Sequence, residues 1–447
     1  MRRPISWSAL ADASVGVWGL GVEGQASVRR LRAMGVFPVL VEDAPTAPSL
    51  EGLEVSALDA GGLDGLLRCD VVIKSPGISR YRPEVSRLEE AGVPVCGGLG
   101  LSMQESDGSK VACITGTKGK STTTALAVHL LNGLGHQGRA AGNIGMPPWD
   151  PASGPPPEYW VIETSSFQVP DLDTAPHVVA VTSLSPDHLD WHGSVERYYA
   201  DKLSLCTKPG VEHAVADGSD DELRANVALL GPHLRWVDDA SVEHDRVWST
   251  SLGLPGPHNA RNASIARAVL MAMGVAGADD DDKVIAAAAG FRGLPSRCQS
   301  LGHAGSVEFV DDSLSTNVLP ARAALLAYAD RPVALLVGGH DRGVDYGPLG
   351  AAIARRSQPT LVVTMPDNGP RIGAAVRETS GTRVTVTDVP TVEDAVGTAH
   401  TWVESAGGGV VLLSPAAPSV GRFADYRERA AAFAAAVARF GPLSSLS

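Results

Sequence analysis

Short apolar runs recur along this chain, each closed by glycine, a hydroxyl or an acidic residue and followed by a longer stretch with helical spacing. Residues 15–18, 38–41 and 70–73 read as strands, and residues 25–34 read as a helix between the first two. The alternation returns with strands at 111–114, 159–162 and 179–182 and a helix at 125–134. A third series follows, with strands at 307–310, 333–337, 360–364, 383–386 and 409–413 and an Ala-rich helix at 430–440. Strand–helix alternation of this kind predicts an α/β fold with parallel sheets. Three series in 447 residues predict three domains, at 1–108, 109–297 and 298–447. The Pro-rich stretch 147–157 reads as a surface loop inside the second domain, since a strand resumes at Tyr159. The acidic run 279–282 reads as the N-terminal charge of a helix at 284–289.

Composition narrows the function classes. Hydrophobic residues make up 44% of the chain, enough for sizeable cores, and the net charge of −13 argues against a general nucleic-acid surface. Five scattered cysteines contain no C-x-x-C pair, which argues against a disulfide framework or a structural zinc site. No apolar run is long enough to span a membrane and no signal-peptide core follows the N-terminus, so a cytoplasmic protein without a membrane partner is expected.

The chemistry begins at Thr115-Gly116-Thr117-Lys118-Gly119-Lys120-Ser121-Thr122. Lying between a strand and a helix, such a loop turns backbone amides toward a phosphate, and the helix N-terminus adds partial positive charge. Lys120 can reach terminal phosphates and Ser121 can hold magnesium. The first glycine of the usual phosphate loop is Ile114 here, so the loop is a shortened variant. Glu163, at a strand end, is placed for a magnesium ligand. Gly19-Leu20-Gly21-Val22-Glu23-Gly24 matches G-x-G-x-x-G, and Glu42-Asp43 lies about 20 residues on, where an acidic group suits a ribose hydroxyl. Taken literally that is a nicotinamide or flavin site. Taken broadly it serves any diphosphate-bearing nucleotide.

Further clusters follow in order: Gly142-Asn143-Ile144-Gly145, Glu163-Thr164-Ser165-Ser166-Phe167-Gln168, Asp187-His188-Leu189-Asp190, Lys202, Gly256 to Asn262, Gly293 to Arg297, Asp311-Asp312-Ser313, Gly338 to Tyr346 and Ser414-Pro415-Ala416. Together with the loop they resemble the Mur ligase superfamily, the ATP-dependent amino-acid-adding enzymes of peptidoglycan synthesis. The simple N-terminal α/β segment, with Ser75-Pro76-Gly77-Ile78, is similar to the glutamate-adding branch that acts on UDP-N-acetylmuramoyl-L-alanine. The resemblance implies a Rossmann-like N-terminal sheet that binds the UDP of the substrate, a central ATPase-type sheet and a Rossmann-like C-terminal domain.

It also implies roles. Gly116, Thr117, Lys118, Gly119, Lys120, Ser121 and Thr122 would hold ATP, with Asn259, Asn262, Arg297 and Asp312. Lys120, Glu163, His188 and Lys202 would be catalytic. Ser121, Glu163, His188 and Lys202, the last as a carbamate, would support magnesium. The substrate contacts implied are Val22, Glu23, Asp43, Ser75, Gly77, Asn143, Thr316, Arg342, Ser419 and Tyr426. The reaction implied is formation of an acyl phosphate from ATP, followed by attack of glutamate's amine. A monomer is expected.

Three departures set this chain apart. Lys118 stands where asparagine is usual, Leu314 where lysine is usual, and Arg342 where another lysine is usual. The Asp312-Ser313-Leu314-Ser315-Thr316 form resembles a variant branch that adds L-glutamate and leaves the stereocentre to a downstream epimerase. The alternatives are the standard D-glutamate ligase, a folate polyglutamate ligase, and a non-catalytic nucleotide-binding regulator.

Overall fold

The computed structural model describes residues 5–43, 53–380 and 384–444. The central strands of each sheet are short and buried, as apolar runs without polar alternation require. The first sheet contains β1 (Val15–Trp18), β2 (Val39–Glu42), β3 (Val55–Ala57), β4 (Val71–Lys74) and β5 (Val95–Cys96). It is parallel throughout, in the order β3-β2-β1-β4-β5. The chain reverses its direction of winding between β1 and β4, and ligands of open α/β sheets bind at such a point, beyond the strands' carboxyl ends.

The second sheet contains β6 (Val111–Thr115), β7 (Gly138–Gly142), β8 (Tyr159–Glu163), β9 (Val178–Val181), β10 (His213–Asp217) and β11 (Leu234–Val237), ordered β11-β10-β9-β6-β8-β7 and again parallel. β6 therefore lies between β8 and β9, and the loops leaving these three strands share one edge. The third contains β12 (Gln299–Ala304), β13 (Val307–Asp311), β14 (Val333–Val337), β15 (Thr360–Thr364), β16 (Thr385–Asp388) and β17 (Gly409–Leu413), ordered β12-β13-β17-β14-β15-β16. Among the described residues the β12–β13 pair alone is an antiparallel strand pair.

The chain divides into two compact units. Met1–Leu252 and Ala260–Phe291 form one, carrying the first two sheets, and Gly253–Asn259 and Arg292–Ser447 form the other. In the first unit one continuous core runs from Trp7 and Val15 to Leu223 and Leu230. The Pro-rich stretch departs from its reading as a plain surface loop. Trp149 and Asp150 are buried, Trp149 donates to Ser27 Oγ at 3.2 Å, and Asp150 pairs with Arg29. Gly98 leaves room for the indole, since a Cβ there would lie 2.5 Å from it.

Two helices start earlier than their apolar spacing predicts. Val22–Ala33 begins inside the glycine motif, and Lys120–Gly133 begins inside the phosphate loop. Both N-cap positions are glycines, and Gly119, at φ 89°, uses the left-handed freedom that lets the chain turn directly from loop to helix. The acidic run behaves as expected: Asp280 accepts from the Lys283 amide and caps Asp281–Ala288. Among the described residues no helix is long and apolar enough to cross a membrane.

Candidate functional site

The loop after β6 is pressed against the one after β9. Gly116 has φ +136°, and a Cβ there would lie 2.2 Å from Thr182 Oγ1. Gly119 has φ +89°, and its Cβ would lie 2.5 Å from Asn262 Oδ1. No other residue fits either position. The Thr117 amide donates to Ser183 O at 2.8 Å, and the Lys118 amide donates to Ser183 Oγ at 2.8 Å. Thr117 Oγ1 lies 3.0 Å from the Tyr198 hydroxyl. Thr123 Oγ1, one turn into the helix, donates to Asn262 Oδ1 at 3.3 Å. Ser121 is buried and Thr122 half-buried in the same turn.

Two lysines converge on one carbonyl. Lys120 Nζ donates to Gly116 O at 2.8 Å and to Thr117 O at 3.0 Å, and Lys202 Nζ donates to Gly116 O at 3.0 Å. Lys202 comes from the helix Val195–Leu203 and is 2% exposed. Burial pushes its pKa well down, and Lys120 and Lys118 add to this against Asp187 and Glu163. Lys118 forms an ion pair with Asp187, at 3.2 Å, so its charge is partly neutralised within the loop cluster.

Glu163 ends β8 beside the loop, and its backbone carbonyl receives the Asn143 amide at 3.1 Å. The residue is 4% exposed, and its Oε2 is buried without a hydrogen-bond partner. His188 caps the short helix Leu189–His192 in the left-handed region, at φ 51°. Burial, with the nearby lysines Lys202, Lys118 and Lys120, lowers its pKa against Asp187 and favours neutral imidazole. Among the described residues no three His, Cys, Asp or Glu side chains form a ready-made metal cage.

The site extends to the first sheet. Ser75 Oγ donates to Gly19 O at 2.6 Å, binding the loops after β4 and β1 together. Gly24 packs so closely on Gly19 that a Cβ would lie 1.8 Å from its carbonyl oxygen. Val22 and Gly77 stand exposed at this edge. Glu23 accepts from Gln168 Nε2 at 2.6 Å, and Gln168 in turn accepts from the Ser165 amide at 2.7 Å. Desolvation by burial raises the Glu23 pKa to about 7, against the Gln168 bond and the Lys74 charge. Of the acidic pair, Glu42 accepts the Leu20 amide, while Asp43 accepts from Trp18 Nε1 at 3.1 Å and pairs with Arg82.

Sequence reasoning gave no role to a buried relay across the same unit. His192 Nε2 lies 3.0 Å from Ser166 Oγ, its Nδ1 lies 2.7 Å from Asp201 Oδ2, and Tyr81 donates to Asp201 Oδ1 at 2.6 Å. Trp191 stacks on Phe167 and donates to Pro76 O at 3.2 Å. Ser166, Phe167, Trp191 and His192 lie inside the 163–168 cluster or directly after 187–190, whereas Tyr81 and Asp201 lie outside both.

The second unit carries the remaining candidates. Asp312 follows β13, accepts from Ser414 Oγ at 2.6 Å and from the Cys298 amide at 3.2 Å, and is 6% exposed. Burial raises its pKa to about 7, and Asp311 adds to this while Arg297 opposes it. Asn259 is buried and donates to Pro255 O at 2.7 Å. Leu314 is half-buried, while Thr316 and Arg342 are exposed. Ser419 is buried, and Tyr426 opens the helix Tyr426–Val437.

Residues 114–270 match the Mur ligase middle domain, and residues 13–97 match the MurD-like N-terminal domain of Mur ligases. A UDP-N-acetylmuramoyl-L-alanine–L-glutamate ligase of Xanthomonas euvesicatoria pv. vesicatoria (strain 85-10) is 40% identical over 454 residues, covering 96% of this chain and 95% of the relative. The chain belongs to the Mur ligase family. A Micromonospora sp. relative of the same name is 38% identical over 452 residues, covering 96% of this Mur ligase and 97% of the relative. Among solved structures, the UDP-N-acetylmuramate-alanine ligase of Thermotoga maritima covers 96% of this Mur ligase, and 99% of that chain is covered, with a TM-score of 0.56 at 19% identity. The MurF ligase of the same organism, in complex with ADP, gives a TM-score of 0.54 at 14% identity, with 97% of each chain covered. These two likenesses extend the fold over the whole Mur ligase chain, including the part beyond the two matched domains.

Proposed function

We propose that this Mur ligase joins L-glutamate to UDP-N-acetylmuramoyl-L-alanine with hydrolysis of ATP to ADP and phosphate. The observation that carries the reading is the convergence of Lys120 and Lys202 on Gly116, within electrostatic reach of Glu163 and His188, at the edge formed by the loops after β6, β8 and β9. The names of the relatives support the choice of substrate and enantiomer. Leu314 in place of a lysine favours the L-glutamate branch over the D-glutamate one. The three domains are taken as 1–108 for the UDP substrate, 109–297 for ATP and 298–447 for glutamate and further ATP contacts.

In the first step the L-alanyl carboxylate attacks the γ-phosphorus, and the bond to ADP breaks. The helix-start amides at Lys120 and Ser121 and the Lys120 ammonium neutralise charge that develops on the phosphate oxygens, while the Thr117 and Lys118 amides are engaged by Ser183. In the second step the glutamate amine attacks the acyl carbon, loses a proton, and phosphate leaves. Asn259, Asn262, Arg297 and Asp312 are assigned to the nucleotide. Val22, Glu23, Asp43, Ser75, Gly77 and Asn143 are assigned to the UDP substrate, and Thr316, Arg342, Ser419 and Tyr426 to its reaction partner.

The residues present fit magnesium. Glu163 Oε2 is a buried oxygen without a partner, Ser121 offers a hydroxyl, and His188 is held toward the neutral form a metal needs. Too few acidic donors make a cage alone, which suits a cation that also binds substrate phosphates. Bound there, magnesium would supply charge neutralisation for phosphoryl transfer. Lys202 is biased toward its neutral amine, the form that adds carbon dioxide: an N–C bond forms, a proton leaves, and a carbamate anion replaces a potential cation. The cytoplasm is the compartment proposed, and a downstream epimerase would correct the stereocentre.

The test is phosphate release with UDP-N-acetylmuramoyl-L-alanine, ATP and magnesium, comparing L- and D-glutamate. Release with L-glutamate, and a carbamate carbon signal from labelled bicarbonate that Lys202→Met removes, are expected. Turnover with D-glutamate alone would overturn the enantiomer.

A further inference from the structure

In the second unit a cavity of about 250 Å³ opens between the turns after β14 and β15, the start of the helix Val392–Ser405, and the segment 419–432. Of the substrate contacts assigned above, only Ser419 lines it. Its deepest polar group is Arg429, which is 1% exposed. Arg429 donates to Ala417 O at 3.1 Å and to Ser313 O at 2.8 Å, while its Nε is buried with no hydrogen-bond partner. Among the described residues no carboxylate forms an ion pair with it. Burial depresses its pKa to about 10, with Asp311 acting the other way. A buried guanidinium bonded only to carbonyl groups is a cation awaiting a counter-ion.

The same segment adds a second cation to the cavity lining, Arg422. The Arg422 side chain is 48% exposed, and its partners are Asp367, at a long 3.5 Å, and Pro390 O at 3.3 Å. A surface contact of that kind holds its guanidinium weakly. The 14-residue helix Val392–Ser405, capped by Thr391, points its N-terminus at the same space and adds partial positive charge. The one carboxylate lining the cavity is Glu393, on its exposed side.

We propose that this cavity receives the side-chain carboxylate of the incoming glutamate, with Arg422 as the specificity-determining residue. The proposal rests on the functional reading above. Every α-amino acid carries an α-carboxylate, so discrimination for glutamate must be exercised on its second one. An Arg fork can bind that group bidentately.

The experiment is steady-state phosphate release by Arg422→Ala and Arg422→Lys, with L-glutamate and L-glutamine as competing acceptors. In Arg422→Ala the KM for L-glutamate rises about tenfold or more, the range of a lost charge-assisted bond, while the KM for ATP stays within twofold. The preference for L-glutamate over L-glutamine falls in parallel, and Arg422→Lys recovers part of both. Because the side chain is half-exposed, both variants should melt near the wild-type temperature, and Arg422→Lys keeps the test open if Arg422→Ala does not fold. Active wild type with an Arg422→Ala KM and preference within twofold of it would overturn the cavity's role alone. Wild type that releases no phosphate with either glutamate would overturn the functional reading together with it.

Discussion

Asp312 is a carboxylate that its surroundings do not want ionised. Its pKa rises from 3.8 to about 7, chiefly through burial, although Ser414 and the Cys298 amide hydrogen-bond its oxygens. Between pH 4 and pH 7 the folded protein thus binds more protons here than the unfolded chain. Stability from this group therefore falls as pH rises through that window. Asp312→Asn keeps the shape without the charge and should flatten this slope, leaving the variant less destabilised between pH 5 and pH 8 than wild type in urea melts. An unchanged slope would mean that Asp312 titrates normally. Lys202 obeys the same logic with opposite sign of charge: burial favours its neutral form, the form that the proposed carbamylation requires.

At the scale of elements, the phosphate loop depends on contacts made across β6 and β9. Gly116 is held by Thr182 as much as by its own φ. Gly116→Ala must push the loop off the Thr182–Ser183 backbone, moving the Thr117 and Lys118 amides with it. A displacement of about 1 Å can cost roughly a hundredfold in rate. Gly116→Ala is expected to lose at least that in kcat/KM for ATP while keeping the wild-type circular dichroism spectrum. Retention of full activity would remove the loop from the phosphate site. The two helix starts that apolar spacing misplaced have the same physical origin. Spacing detects the buried apolar face of a helix, and the first turns at Val22 and Lys120 carry glycine, charged and hydroxyl residues instead.

On the scale of the whole molecule, the first unit carries two sheets on one core. Trp149 lies 6.2 Å, ring to ring, from Trp7 and bonds Ser27, so one loop of the second sheet is embedded in the elements of the first. Trp149→Ala should destabilise this unit by about 3–5 kcal/mol, the usual cost of removing a buried tryptophan. The check is differential scanning calorimetry, with this unit's transition shifting down. A shift near zero would mean the loop is dispensable. Lys74, Asp171 and Arg80 form a second, ionic tie in the same unit.

Apolar runs and motif order by themselves determined the α/β class and most strand positions, and marked Lys120, Glu163, His188 and Lys202 as one candidate set. Such signals are local or depend on residue type, which a linear chain records. β3, β5, β7, β10, β11 and β12 were not legible, because short, half-exposed or polar strands such as Val55–Ala57 and Gln299–Ala304 have no apolar run to mark them. Only the tertiary structure decided that Lys202 shares the Gly116 carbonyl with Lys120, that Lys118 is paired with Asp187, and that the Pro-rich loop buries Trp149. It alone placed Arg422 and Arg429 around one cavity. These are meetings of residues far apart in the chain. Burial, dielectric and charge balance at a site are set by what folding brings together, which spacing along the sequence does not encode.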